Sequence, residues 1–163
     1  TADNVMHVYI DQREPVVRVV PSSGGMFFID NEGVIMQRHN INTPRIHVLE
    51  AEMDFNPATM NGMNIYDSDR TANLAKAFEL INYINEDKFW RAMIDHLYMS
   101  SDGEIDMVPR IGCHVIHLGE PENYDVKLDK LLVFYRKVMP EAGWDRYRRI
   151  DLEYDGQIVC QRR

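Results

Sequence analysis

An α+β domain, a mainly antiparallel β-sheet with helices packed on one side, is the fold this sequence predicts. Three observations predict it. Short β-branched or alternating segments recur between turns rich in Gly, Asn and Asp. Two other stretches repeat apolar residues three and four positions apart, the spacing of an amphipathic helix. The order is strands, helix, strands, helix, strands, which lets neighbouring strands pair as hairpins while the helices cover one face. With 163 residues and 45% hydrophobic composition, the chain is long enough to bury a core of its own.

Residues 6–10 alternate weakly and Val16-Val17-Arg18-Val19-Val20 is β-branched, so both read as strands, with Arg13-Glu14-Pro15 marking a bend between them. Ser22-Ser23-Gly24-Gly25 predicts a turn, residues 26–29 a strand, Asp30-Asn31-Glu32-Gly33 a second turn and Val34-Ile35-Met36 the return strand of a hairpin. Residues 40–44 read as loop, Ile46-His47-Val48-Leu49 as a short strand, and residues 54–62 as an irregular connection. The period then changes. Leu74, Ala77, Phe78, Ile81 and Ile84 lie on one helical face, with Asp67-Ser68-Asp69 as capping candidates.

A second helical piece over residues 88–94 leads into a strand over residues 96–99. After the Ser101-Asp102-Gly103 turn, residues 105–108 and 113–118 read as successive antiparallel strands. Leu128, Leu131, Leu132, Tyr135 and Val138 return to helical spacing, and the helix should stop around Met139-Pro140 because proline disfavours a helical predecessor. At the end, Ile150, Leu152 and Tyr154 share one face of an extended strand and Asp151, Glu153 and Asp155 the other. Asp155-Gly156 supplies a turn and Gln157-Ile158-Val159-Cys160 resumes extended structure. Such a terminal strand either pairs on both sides or leaves an edge of unpaired N–H and C=O groups, a template for a strand from another protein.

The net charge of −8 disfavours nucleic acid and anionic membrane surfaces as partners, since both need clustered Lys and Arg. Arg146, Arg148, Arg149, Arg162 and Arg163 form a local basic cluster that reads as a solvated face. No apolar run reaches the roughly 18 residues of a membrane span. The opening Thr-Ala-Asp enters a strand-like run without a methionine or signal peptide, the pattern of a cut fragment. Cys113 and Cys160 lack the paired spacing of a zinc site, which leaves two buried free thiols or one disulfide.

Chemistry-bearing motifs are scarce. Counting back from Gly103 puts Tyr98 and Ser100 where a calcium loop needs carboxylates, so residues 102–106 read as a hairpin turn. His114 and His117, three apart on a strand, face opposite ways, while His7, His39, His47 and His96 stand singly; no metal site is expected. Ser22-Ser23-Gly24-Gly25 has neither the lysine nor the following helix of a phosphate loop, and no serine resembles a nucleophile elbow. Trp90, Trp144, Phe89 and the methionines read as packing residues and no cofactor is expected.

Taken together, Ile150-Asp151-Leu152-Glu153-Tyr154-Asp155, directly after the helix over residues 127–139, resembles the end of the bacterial cell-division family FtsQ/DivIB. Glu14-Pro15-Val16-Val17-Arg18-Val19 is similar to the family's exit from its POTRA domain, and Phe28-Ile29-Asp30-Asn31-Glu32-Gly33-Val34-Ile35 to its aromatic, aspartate and glycine hairpin. Thr43-Pro44-Arg45-Ile46 stands where the family usually has a Leu-Pro step. Val108-Pro109-Arg110-Ile111-Gly112 and Ile116-His117-Leu118-Gly119, followed by Lys127-Leu128, are similar to its paired strands before the last long helix.

The resemblance covers nearly the whole chain. It implies that residues 1–14 are the last strand of a truncated POTRA domain and 15–163 an FtsQ/DivIB-like β domain, the parent adding a cytoplasmic tail, one transmembrane helix and the rest of the POTRA domain. It implies a non-enzymatic divisome scaffold on the outer face of the cytoplasmic membrane that binds FtsB/FtsL-type partners by strand addition at the C-terminal strand. The matching partner-binding residues are Leu152, Glu153, Tyr154, Asp155 and Gly156. Better-studied members often carry arginine before the tyrosine, where this chain has Glu153, so the partner position opposite is expected to be basic or neutral. Tyr154 itself reads either as an aromatic anchor or as a core residue in phase with Ile150 and Leu152. Two other classes remain: a different extracytoplasmic POTRA-linked adaptor of outer-membrane assembly or secretion, and a small hydrolase, which would need a concave pocket of titratable groups.

Overall fold

The β-branched run that starts at Pro15 is the third strand in from one edge of a single nine-stranded sheet. A computed structural model describes residues 6, 13–37 and 46–163. Of the expected strand over residues 6–10 only Met6 is described, and of the expected POTRA remnant over 1–14 only Met6, Arg13 and Glu14; the loop over 40–44 lies outside the described residues. In chain order the strands are β1 (Pro15–Pro21), β2 (Phe27–Asp30), β3 (Ile35–Gln37), β4 (His47–Ala51), β5 (Ile94–Met99), β6 (Ile105–Pro109), β7 (Val115–Gly119), β8 (Tyr147–Asp151) and β9 (Val159–Arg162). Across the sheet they run β3-β2-β1-β4-β5-β6-β7-β8-β9.

Hairpins β1–β2, β2–β3, β5–β6, β6–β7 and β8–β9 are antiparallel. The junctions β1–β4, β4–β5 and β7–β8 are parallel. The last two of these are bridged by helices, because a parallel pair needs a long crossover. α1 (Ala72–Glu86) and α2 (Lys88–Met93) connect β4 to β5, and α3 (Tyr124–Lys137) and α4 (Met139–Ala142) connect β7 to β8. The mainly antiparallel α+β arrangement is therefore present, with parallel junctions that local periodicity does not reveal.

Alternation along each strand assigns the faces. Val17, Val19, Leu49, Leu97, Met99, Ile105, Met107, Ile116, Leu118 and Ile150 are buried in one cluster with Leu74, Phe78, Ile81, Ile84, Leu128, Leu131 and Tyr135 of the helices. Each such side chain removed from water contributes roughly 1.5–3 kcal/mol. The opposite face carries Arg18, Val48, Glu50, Tyr98, Asp106, His117 and Asp151, in register from β1 to β8.

Local capping follows the sequence signals. Ser68 Oγ accepts from the Arg70 N–H at 3.3 Å to open a 3₁₀ turn, Asp69–Thr71, ahead of α1. Asp87 ends α1 and opens α2, accepting from the Phe89 and Trp90 N–H groups at 2.7 and 3.0 Å. α3 stops at Lys137, just before Met139-Pro140 as expected, and Pro140 then lies in the first turn of the short α4, where its missing N–H costs nothing. The turn between β2 and β3 is built around Asp30, whose fully buried carboxylate accepts from the Glu32 and Val34 N–H groups at 2.9 and 2.8 Å and from Arg13. Gly33 closes it with φ of 81°, and a Cβ there would sit 2.9 Å from Tyr66 Cε2.

Candidate functional site

The two edges of the sheet are finished differently. At one end β3 is covered by the 61–65 segment: the Ile35 N–H donates to the Met63 carbonyl at 2.9 Å, and the Gly62 N–H to the Ile35 carbonyl at 2.8 Å. Gln37 N–H donates to Asn61 Oδ1 at 2.9 Å. At the other end β9 pairs with β8 on its inner side only, and no strand or loop among the described residues covers its outer side. The Arg163 N–H donates to the Arg146 carbonyl on β8's side at 3.2 Å, so by alternation the N–H groups of Arg162 and Cys160 point outward.

The five partner-binding candidates are not one strand. β8 ends at Asp151, three residues before Tyr154, the last apolar residue of the period-two pattern, and residues 152–158 form the connection to β9. The reason is Lys130 on α3: its ammonium donates to the Leu152 carbonyl at 3.0 Å, the Tyr154 carbonyl at 2.6 Å and the Gln157 carbonyl at 3.0 Å, curling the chain around one cation. Leu152 is buried and its N–H donates to the His117 carbonyl at 2.9 Å, which anchors the loop to β7. Tyr154 is 48% exposed, so it is no core residue, and Gly156 turns the chain with φ of 68°.

Exposed apolar groups gather at this end. Val126 and Val133, 63% and 51% exposed, stand about one turn to either side of Lys130 on α3, and Val159 on β9 is 41% exposed. A cleft of about 330 Å³ runs between α3 and the loop, lined by Val126, Lys127, Lys130, Leu152, Glu153 and Gly156 among others. Burial lowers the Lys127 pKa, and its ammonium is held by the Leu118 and Glu120 carbonyls at 2.9 and 2.8 Å. The site thus joins a bare sheet edge, an exposed tyrosine and an apolar fringe, the features that receive a peptide strand.

Other candidates are absorbed into the fold. His114 is buried, with Nε2 2.8 Å from the Tyr135 hydroxyl, and desolvation lowers the histidine's pKa and raises the tyrosine's. It lies on the core side while His117 faces away from the helices, as their spacing predicts. Ser23 Oγ is tied to the Phe55 carbonyl at 3.0 Å and N–H at 3.1 Å. In the basic cluster, Arg149 lies 3.5 Å from Asp106, Arg148 donates to Gln161 at 3.0 Å, and Arg163 donates to the Cys113 carbonyl at 2.6 Å. Both cysteines are free, but Cys113 is exposed and Cys160 half-buried, not the two buried thiols expected. No described helix is long and apolar enough to cross a membrane.

One grouping was missed by the sequence. His117, Asp151 and Glu153 converge on the outer sheet face, with one ligand-type atom from each within 4.8 Å of the others. Spacing within β7 gives no sign of it, because Asp151 arrives through the parallel β7–β8 register and Glu153 through the loop beyond.

The family model described as FtsQ/DivIB, C-terminal related matches residues 14–161. No curated protein matches the chain.

Proposed function

The chain belongs to the FtsQ/DivIB, C-terminal related family, a family of cell-division proteins, and from that premise we propose that it is a non-enzymatic divisome scaffold. It acts on the outer side of the cytoplasmic membrane as the extracytoplasmic part of a membrane-anchored parent that also carries a POTRA domain. It binds FtsB/FtsL-type partners by adding a partner strand to the C-terminal edge of its sheet. The observation that carries this reading is the outer side of β9, unpaired among the described residues while the opposite edge is covered.

In this reading β9 supplies the main-chain hydrogen bonds and the 152–156 loop beside it supplies side-chain contacts. Tyr154 is an amphipathic ring on the surface next to the cleft, the type of residue that anchors an interface. The family resemblance names Leu152, Glu153, Tyr154, Asp155 and Gly156, and their roles divide here: Leu152 holds the loop to the core, Tyr154 and Glu153 meet the partner, and Asp155-Gly156 sets the turn into β9.

Calorimetric titration with the extracytoplasmic segments of the same organism's FtsB- and FtsL-type proteins tests this. Because Tyr154 is exposed, Tyr154→Ala should leave stability within about 0.5 kcal/mol of the parent. It should weaken partner binding about tenfold or more. Equal binding by both proteins would move the interface elsewhere.

A further inference from the structure

We propose that His117, Asp151 and Glu153 form a binding site for a divalent transition-metal ion, with zinc the best-fitting ion. The inference does not rest on the scaffold reading, although the two share Glu153, and it is built on the outer face of the sheet.

His117 on β7 is 7% exposed. Its Nδ1 lies 2.6 Å from Asp106 Oδ1 on the neighbouring β6, and the other oxygen of Asp106 lies 3.5 Å from Arg149 Nη1. Arg149 orients Asp106, and in the tautomer in which the Nδ1–H donates to that carboxylate, Nε2 keeps its lone pair. This is the arrangement by which a carboxylate fixes the tautomer of a metal-binding histidine and raises the basicity of its other nitrogen. The lone pair of Nε2 is then aimed at the remaining carboxylates, and Nε2 makes no hydrogen bond among the described residues.

Glu153 Oε2 is 3.9 Å from Nε2. A lone pair facing an anion across this gap leaves room for a positive species between them. A proton would draw the two atoms to about 2.8 Å, and 3.9 Å exceeds the reach of a hydrogen bond. A zinc ion with bonds of about 2.0–2.1 Å separates its ligands by about 3.3 Å. The triad's ligand atoms fall within 4.8 Å of one another, and rotations of the Asp151 and half-exposed Glu153 side chains would close them to that spacing.

Asp151 completes the set from β8, adjacent to His117 in the parallel register. One of its oxygens accepts from the Glu153 N–H at 3.0 Å, which leaves the other for the metal. One imidazole nitrogen and two carboxylates give charge neutrality with a divalent ion and leave a fourth position for water. That donor set suits zinc; calcium requires six to eight oxygens that the site does not have. An ion bound here would tie β7 to β8 and to the first residues of the loop beyond.

The test is calorimetric titration of chelator-treated protein with zinc chloride. One zinc per chain is expected, with Glu153→Gln and Asp151→Asn each lowering affinity about tenfold or more while Glu141→Gln on α4 leaves it unchanged. These variants spare the His117–Asp106 pair, and circular dichroism confirms that they are folded. Cobalt(II) in place of zinc should give a visible absorption band that Glu153→Gln removes, a signature that a purely structural role for Glu153 would not produce. Absence of stoichiometric zinc binding, equal binding by all variants, or an equal response to calcium would overturn the assignment.

Discussion

Replacing Lys130 by methionine should release the loop that separates β8 from β9. Methionine keeps most of the aliphatic stem against α3 and removes only the ammonium, so the change isolates the three carbonyl contacts to Leu152, Tyr154 and Gln157. The contact to Leu152 is partly buried, and a charged donor there is worth about 1.5 kcal/mol. The two exposed contacts add a few tenths each after solvent screening, for about 2 kcal/mol in all. In a domain of this size that corresponds to a fall of about 4–8 °C in Tm. Thermal unfolding at pH 7 measures it, and amide exchange locates it: N–H groups of β9 should exchange faster while those of β4 and β5 do not change. A Tm within about 1 °C of the parent, with unaltered exchange in β9, would refute the claim that one cation shapes this loop.

Asp30→Ala removes the acceptor for the Glu32 and Val34 N–H groups and the partner of Arg13, and should cost about 2–3 kcal/mol in urea unfolding; a loss under about 1 kcal/mol would mean that the turn holds itself. Desolvation lowers the pKa values of His47 and His114 below histidine's ordinary 6.5, so the unfolded chain binds protons before the folded one. Stability should be full above that pH and decline as pH falls from about 7 to 5, with a shallower decline in His114→Gln; a Tm that rose on acidification would reverse the sign. Tyr154→Ala should separate binding from folding, weakening partner titration while the melting curve stays in place.

The parts of the fold that were legible in the sequence are those set by local periodicity. Val17 and Val19 alternate into the core, and Leu74, Phe78 and Ile81 repeat at helical spacing, so β1 and α1 could be read from composition and period alone. The parallel junctions of β4 with β1 and β5 were not legible, because register between distant strands leaves no local mark. The early end of β8 was hidden for a related reason: Leu152 and Tyr154 keep the alternation, but Lys130, some twenty residues earlier, draws their carbonyls off the strand path. Pro140 marked the end of α3 correctly but gave no sign of the short α4 that it opens, since a proline in a first turn starts a helix as readily as it stops one. At the candidate site the sequence picked out the loop beside the edge, whereas the unpaired backbone belongs to Val159–Arg162.

Strand addition at β9 is tested most directly by Arg162→Pro. The Arg162 N–H points away from β8, so proline should keep the hairpin and remove one outward donor while blocking the approach of a partner backbone. Titrated with the extracytoplasmic FtsB- and FtsL-type segments, the variant should retain the parent's circular dichroism and Tm within about 2 °C and bind about tenfold or more weakly. A folded Arg162→Pro protein that binds as tightly as the parent would contradict the account.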